Sequence, residues 1–208
     1  EGLKLVGRSL RQAYEDSHRE SCIVKRESCI EPRTTSLEPR ITSGAREDMA
    51  LASLLGGLAL ANAKLGAVHG FASPLGSMTS APHGVICGRL LPYVMQANVQ
   101  ALQRSETGSL ALARYGEIAQ ILTPASSPLG GAGARPVGSP SNGARAAEAV
   151  AWVQSLCTEF KIPSLLEFGL KEEDFPTVVA KAQRSSSMKG NPIKLTDDEL
   201  MEILKKSR

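Results

Sequence analysis

Residues 49–63, MALASLLGGLALANA, carry no charge, and alanine, leucine and glycine fill nearly every position. A helix built from such a run is apolar on almost all sides, and it is stable only where other helices cover it. The pattern extends over residues 46–68, which predicts a long buried helix inside a helical bundle. The uncharged run is well short of the ~20 apolar residues that a bilayer crossing needs, so no membrane partner is expected.

Composition points the same way. Apolar residues make up 42% of the chain but aromatic residues only 4%, whereas strands draw on aromatic and β-branched side chains. The net charge of +3 is small, and no block of five or more like charges is present to attract phosphates, so nucleic acid is not an expected partner. A length of 208 residues suits one ordinary domain. Cys22, Cys29, Cys87 and Cys157 show neither CxxC nor CxH spacing, which implies no zinc module and no disulfide framework and makes a reducing compartment, cytoplasm or organelle matrix, the default.

Two stretches break the helical pattern. RESCIVK, RESCIEP, RTTSLEP and RITSGAR form four tandem sevens led by Arg19, Arg26, Arg33 and Arg40. Pro32 and Pro39 fall within them and no apolar pair recurs at coiled-coil spacing, so residues 17–45 are expected to be a disordered low-complexity insert. The second is TPASSPLGGAGARPVGSPSNGA, residues 123–144, a Pro, Gly and Ser tract with little apolar mass, expected to be a flexible loop.

Between and after them the spacing predicts helices over residues 84–98, 108–122, 144–160 and 171–183. A final helix follows Thr196, which forms a T-x-x-E capping box with Glu199 ahead of Leu200, Ile203 and Leu204. GLKLVGRSLRQAYEDS already runs at helical spacing through Leu3, Val6, Leu10 and Ala13, so the chain is expected to begin inside an element, and the lack of a targeting signal carries no information. No strand is predicted. The expected fold is all-α, a single helical domain over residues 1–208 with two insertions.

Two of the three histidines, His69 and His83, stand fourteen residues apart in LGAVHGFASPLGSMTSAPHG. One reading makes them satisfied polar residues at helix ends, since fourteen is neither a zinc-finger nor an HExxH interval. The other makes them ligands: His69 is placed at the end of the long buried helix and His83, in PHG, at the start of the next. An imidazole at a helix N-terminus meets the positive end of the dipole, which disfavours protonation and leaves a lone pair for a cation.

The stretch REDMALASLLGGLALANAKLGAVHGFASPLGSMTSAPHGVICGRLLPYVMQANVQAL, residues 46–102, resembles the core of the iron-containing (group III) alcohol dehydrogenases. LKEEDFPTVVAKAQRSSSMKGNPIKLTDDELMEIL, residues 170–204, is similar to the end of that family, including its NP before the last helix. With the opening helix, the likeness covers about two thirds of the residues and omits both inserts. It extends only to the C-terminal helical domain of the family, whose members also carry a nucleotide-binding α/β domain. The resemblance implies a divalent metal, Fe²⁺ or sometimes Zn²⁺, held by an Asp and a His from one helix together with the VHG and PHG histidines, here His69 and His83. It also implies NAD(P), an alcohol or aldehyde as the small-molecule substrate, and a second copy of the chain as a candidate partner.

The chain departs from the family pattern in two places. The Asp–His helix should lie upstream of EGLKLVGRSLRQA, so the other two ligands are expected outside this sequence. Many members carry a further histidine in HGxAHPLG, where this chain has Ser73. That histidine belongs to the substrate and nicotinamide pocket, so the substitution affects the proton path and substrate class rather than the metal pair.

Other candidates have simpler explanations. GGAGARPVG near Gly130 lacks the preceding strand and following helix of a dinucleotide site, so no cofactor-binding residue is assigned. Repetition accounts for the spacing of Cys22 and Cys29, and a solvated helix end accounts for His18. Residues 171–174, KEED, read as the acidic first turn of a helix, and Asn62 reads as a hydrogen-bonding residue between helices. No catalytic residue is assigned. Two rival readings remain: a non-catalytic helical remnant or interaction module, and an incomplete gene product whose repeats are not part of a natural fold.

Overall fold

The computed structural model describes residues 1–27, 44–105, 109–123 and 141–208, with the side chains of residues 19–27 and 109 left aside. These residues are helical, with no strand among them. They fall into two compact units, Glu1–Ala61 and Asn62–Arg208.

The first unit pairs α1 (Gly2–Glu27) with α2 (Gly44–Asn62). A Cβ on Gly2 would touch the Leu55 side chain at 3.4 Å, while Arg8 donates to both carboxylate oxygens of Asp48 and Ser9 donates its hydroxyl to the same group. Positions 2 and 55 and positions 8 and 48 can both meet only if the helices run antiparallel. The Ser9 hydroxyl and the Arg8 guanidinium hold the Asp48 carboxyl below its ordinary range.

The expectation of a buried α2 is overturned. Only Ala45 is buried in it, and Leu51, Leu54, Leu58 and Leu60 are 46–60% exposed. One neighbouring helix covers one stripe of a helix surface, and this run has apolar residues on every other side as well.

The boundaries of the two predicted inserts also move. α1 continues to Glu27 because RESCIVKRE has neither Pro nor Gly to stop it. α2 begins at Gly44, and α6 begins at Asn142 after Ser141, whose hydroxyl accepts from the Ala144 N–H at 3.3 Å. Residues 28–43, with Cys29, and residues 124–140, with Gly130, lie outside the described residues.

The second unit contains α3 (Ala67–Met78), α4 (His83–Arg104), α5 (Ser109–Leu122), α6 (Asn142–Glu159), α7 (Phe175–Arg184) and α8 (Asp197–Ser207). α4 is its axis, packing against α3, α5, α6 and α8. Phe71 and Leu75 of α3, Ile86 and Leu90 of α4, Phe175 and Val178 of α7, and Leu200, Ile203 and Leu204 of α8 are all almost wholly buried in one core.

Two polar details fix α4 within this core. Pro92 has no N–H, so the Gly88 carbonyl one turn back lacks its helical donor; the Cys157 thiol of α6 reaches that oxygen at 3.4 Å. Burial pushes this thiol above its ordinary range, against a smaller opposing effect of Arg89. Arg89 donates to the carbonyls of Ser207 (3.0 Å) and Arg208 (2.8 Å), capping the C-terminal end of α8 with a cation where the helix dipole is negative.

The last helix starts as its sequence predicts. Thr196 accepts from the Glu199 N–H (3.3 Å), and the Glu199 carboxylate accepts from the Thr196 N–H (2.7 Å).

Candidate metal centre

His69 does not end the long helix, as its sequence suggested. The chain leaves helical geometry after Asn62, and α3 begins anew at Ala67, placing His69 in the first turn of α3. Gly66 is the N-cap and has no side chain to offer, so the cap comes from far along the sequence. Asn191 Oδ1 accepts from the Ala67 N–H at 3.1 Å, supplying one of the acceptors that a helix start requires.

Asn191 is itself held on three sides. Its amide donates to Asn98 Oδ1 (2.7 Å) and to the Ile193 carbonyl (2.8 Å), and Asn98 Nδ2 lies 3.2 Å from Asn191 Oδ1 and 3.1 Å from the Tyr115 hydroxyl. Asn98 is 2% exposed, so these bonds form where water cannot replace them. The network joins α5, α4 and the NP segment to the start of the helix that carries His69.

The backbone closes in at the same place. A Cβ on Gly190 would lie 1.9 Å from the Leu65 carbonyl oxygen, and one on Gly70 would lie 2.9 Å from Met188 Cε. Glycine at position 190 lets the two chains pass at contact distance.

After α3 the chain turns through Thr79, whose hydroxyl donates to the Leu75 carbonyl (2.8 Å), and Ser80, whose N–H donates to the Phe168 carbonyl (3.1 Å). α4 then opens at His83, behind Pro82.

The two imidazole rings come together, with centroids 5.5 Å apart and planes inclined by 52°. Burial, and secondarily the neighbouring His83, holds the His69 pKa below the ordinary histidine range. Both effects favour the uncharged imidazole, the form whose nitrogen lone pair is available to a cation.

Sequence reasoning missed a third group. Cys87, one helical turn beyond His83, brings Sγ to 3.5 Å from His83 Nε2, and one donor atom from each of His69, His83 and Cys87 lies within 4.8 Å of the others. The signal was present as the i, i+4 pair in HGVIC, but α3 has to bring in His69 before that pair becomes a cluster. Burial pushes the Cys87 thiol above its ordinary range.

The other candidates lie elsewhere. Ser73 is exposed, one turn beyond His69 on α3. His18, on α1, stacks on Tyr14 with ring centroids 4.1 Å apart and contacts the Tyr14 carbonyl through Nδ1 at 3.1 Å, as a helix-surface side chain does. Asn62 ends α2 in an exposed position. In KEED the Asp174 carboxylate accepts from the Lys171 N–H at 3.1 Å, so this acidic run caps a turn.

Comparison with known proteins agrees with the helical architecture. Residues 32–208 match the family model described as Fe-containing alcohol dehydrogenase family, C-terminal. Alcohol dehydrogenase 4 of Schizosaccharomyces pombe (strain 972 / ATCC 24843) is 36% identical over 162 residues, which are 77% of this chain and 33% of that protein. The 1,3-propanediol dehydrogenase of Klebsiella pneumoniae is 33% identical over 164 residues, 78% of this chain and 37% of that protein. The solved alcohol dehydrogenase from Oenococcus oeni superposes on all of this chain, and on 43% of its own, with a TM-score of 0.70 and 27% identity. The chain thus spans about a third of the length of the curated relatives it matches. These residues, in this helical arrangement, belong to the C-terminal domain of the iron-containing alcohol dehydrogenase family.

Proposed function

We propose that the chain supplies His69 and His83 as two ligands to a divalent metal, Fe²⁺ or Zn²⁺, in an NAD(P)-dependent alcohol dehydrogenase acting on a small alcohol or aldehyde. The observation that carries this reading is the convergence of two rings from separate helices, and burial favours the uncharged form of one of them. A divalent metal bound there would act as a Lewis acid toward an alcohol or carbonyl oxygen.

The chain's own residues position and protect the pair. The Asn98–Asn191 network fixes the first turn of α3 and so the direction in which His69 points. Partial burial favours the uncharged form of that ring. Ser73 leaves the surface of α3 without a second imidazole one turn on, so any proton passing there moves by a hydroxyl or by water. On this reading the Asp–His pair and the nucleotide site that the family implies come from outside these 208 residues.

The reading predicts that the 208-residue chain binds Zn²⁺ or Fe²⁺ in an equilibrium titration. His69→Ala and His83→Ala should each weaken binding at least about tenfold, with no NAD-dependent alcohol oxidation by the chain alone. Ser73 favours a second reading, a helical module that has lost its chemistry. In that case metal binding is indifferent to both histidine substitutions, and that result would refute the proposal.

A further inference from the structure

Beyond the family's histidine pair, we infer that Cys87 is a third metal ligand, so that His69, His83 and Cys87 form a His₂Cys site selecting zinc over iron. The inference rests on the reading of the two histidines as ligands and adds a residue that the family resemblance does not supply.

Distance is the first argument. Bonds of ~2.3 Å to sulfur and ~2.0–2.1 Å to nitrogen, separated by the tetrahedral angle, put the two donor atoms ~3.5 Å apart. Cys87 Sγ and His83 Nε2 are 3.5 Å apart. The remaining separations, all within 4.8 Å, close to tetrahedral edges by small rotations of side chains, two of which are only partly buried and one exposed.

Placement is the second. His83 and Cys87 lie at i and i+4 on one face of α4, whose position is fixed by the core, while His69 comes from α3. Two helices therefore bring three donor atoms to within 4.8 Å of one another, with His83 on the exposed side where the ligands from outside these residues would approach. A simple hydrogen bond between thiol and imidazole would account for the Cys87–His83 pair, but not for the convergence of His69 on both.

Chemistry is the third. Thiolate and imidazole together suit zinc, which also stands above iron(II) in the affinity order of the divalent metals. On binding, the Cys87 thiol releases its proton to solvent and the thiolate forms the metal–sulfur bond, with no change of oxidation state.

The test uses the whole 208-residue chain. Loaded with Zn²⁺, it should show one sulfur at ~2.3 Å in the zinc X-ray absorption fine structure; a shell of nitrogen and oxygen only would overturn the inference without any variant being made. Titrated with Co²⁺, it should develop a thiolate-to-metal charge-transfer band in the near ultraviolet. Cys87→Ser should abolish that band and weaken Zn²⁺ binding on the order of a hundredfold, the upper end of the loss seen for second-sphere partners, while the visible cobalt bands persist through the histidines. A band unchanged in Cys87→Ser would assign the sulfur to Cys22, Cys29 or Cys157 and sink the inference. Failure of Cys87 alone leaves His69→Ala and His83→Ala still damaging, whereas failure of the histidine reading leaves them silent.

Discussion

At the scale of single residues, the segment before the last helix is where the fold tolerates least. Gly190 has no room for a methyl group, since its Cβ would overlap the Leu65 carbonyl oxygen, a backbone atom that cannot rotate away. Gly190→Ala should therefore destabilise the second unit by about 3 kcal/mol, the upper range for overpacking. Gly76→Ala, inside α3 with nothing within 4 Å of its Cβ, should stabilise by ~0.5–1 kcal/mol through backbone entropy alone. Urea midpoints of the two variants should move in opposite directions; equal shifts would show that the close approach is absent. Tyr115 gives a pH-dependent counterpart. Burial pushes its phenol above the ordinary value, outweighing the opposing hydrogen bond from Asn98. The unfolded phenol ionises first, so this contribution to stability is complete below pH ~10 and is lost as pH rises through the higher folded value, by at most ~1.4 kcal/mol per pH unit. The excess decline in stability as pH rises above ~10 should vanish in Tyr115→Phe, and an unchanged slope would contradict the burial assigned to the phenol.

At the scale of helices, what the sequence reveals depends on how local the cause is. α8 starts where its sequence says because both halves of the capping box lie within four residues. Thr196→Ala should cost about 1 kcal/mol and Thr196→Ser only a fraction of that, as thermal unfolding would show; equal losses would mean that the methyl group, not the hydroxyl, is the contributor. α3 starts where no local pattern places it. Its cap is the side chain of Asn191, 124 residues further on, and Gly66 looks like any glycine until that partner is known. The same limit explains α2, whose apolar composition was legible while the question of what covers it was not. His69 and His83 were legible through the VHG and PHG motifs. Cys87 was not, because a histidine and a cysteine one turn apart become a cluster only when a second helix delivers the third donor.

At the scale of the molecule, the proposed ligands all fall in one unit. His69, His83 and Cys87 belong to Asn62–Arg208, and so does the chain's one tryptophan, Trp152, buried in α6. Its fluorescence therefore follows the unfolding of the unit that carries the site. A metal that binds only the folded state adds RT ln(1 + [L]/Kd), about 2.7 kcal/mol at a hundredfold excess over Kd, and the donors are too scattered in an unfolded chain to offset this appreciably. Zn²⁺ at that excess should raise the stability read by Trp152 by this amount. Because protons compete with the cation for imidazole and thiolate, the gain should shrink as pH falls through the histidine range. His69→Ala should remove most of the zinc-dependent gain while leaving the zinc-free midpoint nearly unchanged, since the ring is only partly buried and makes its closest ring contact with another histidine. A zinc effect that survives this substitution would place the binding on other donors, and a zinc-free midpoint that falls by several kcal/mol would show His69 to be a packing residue.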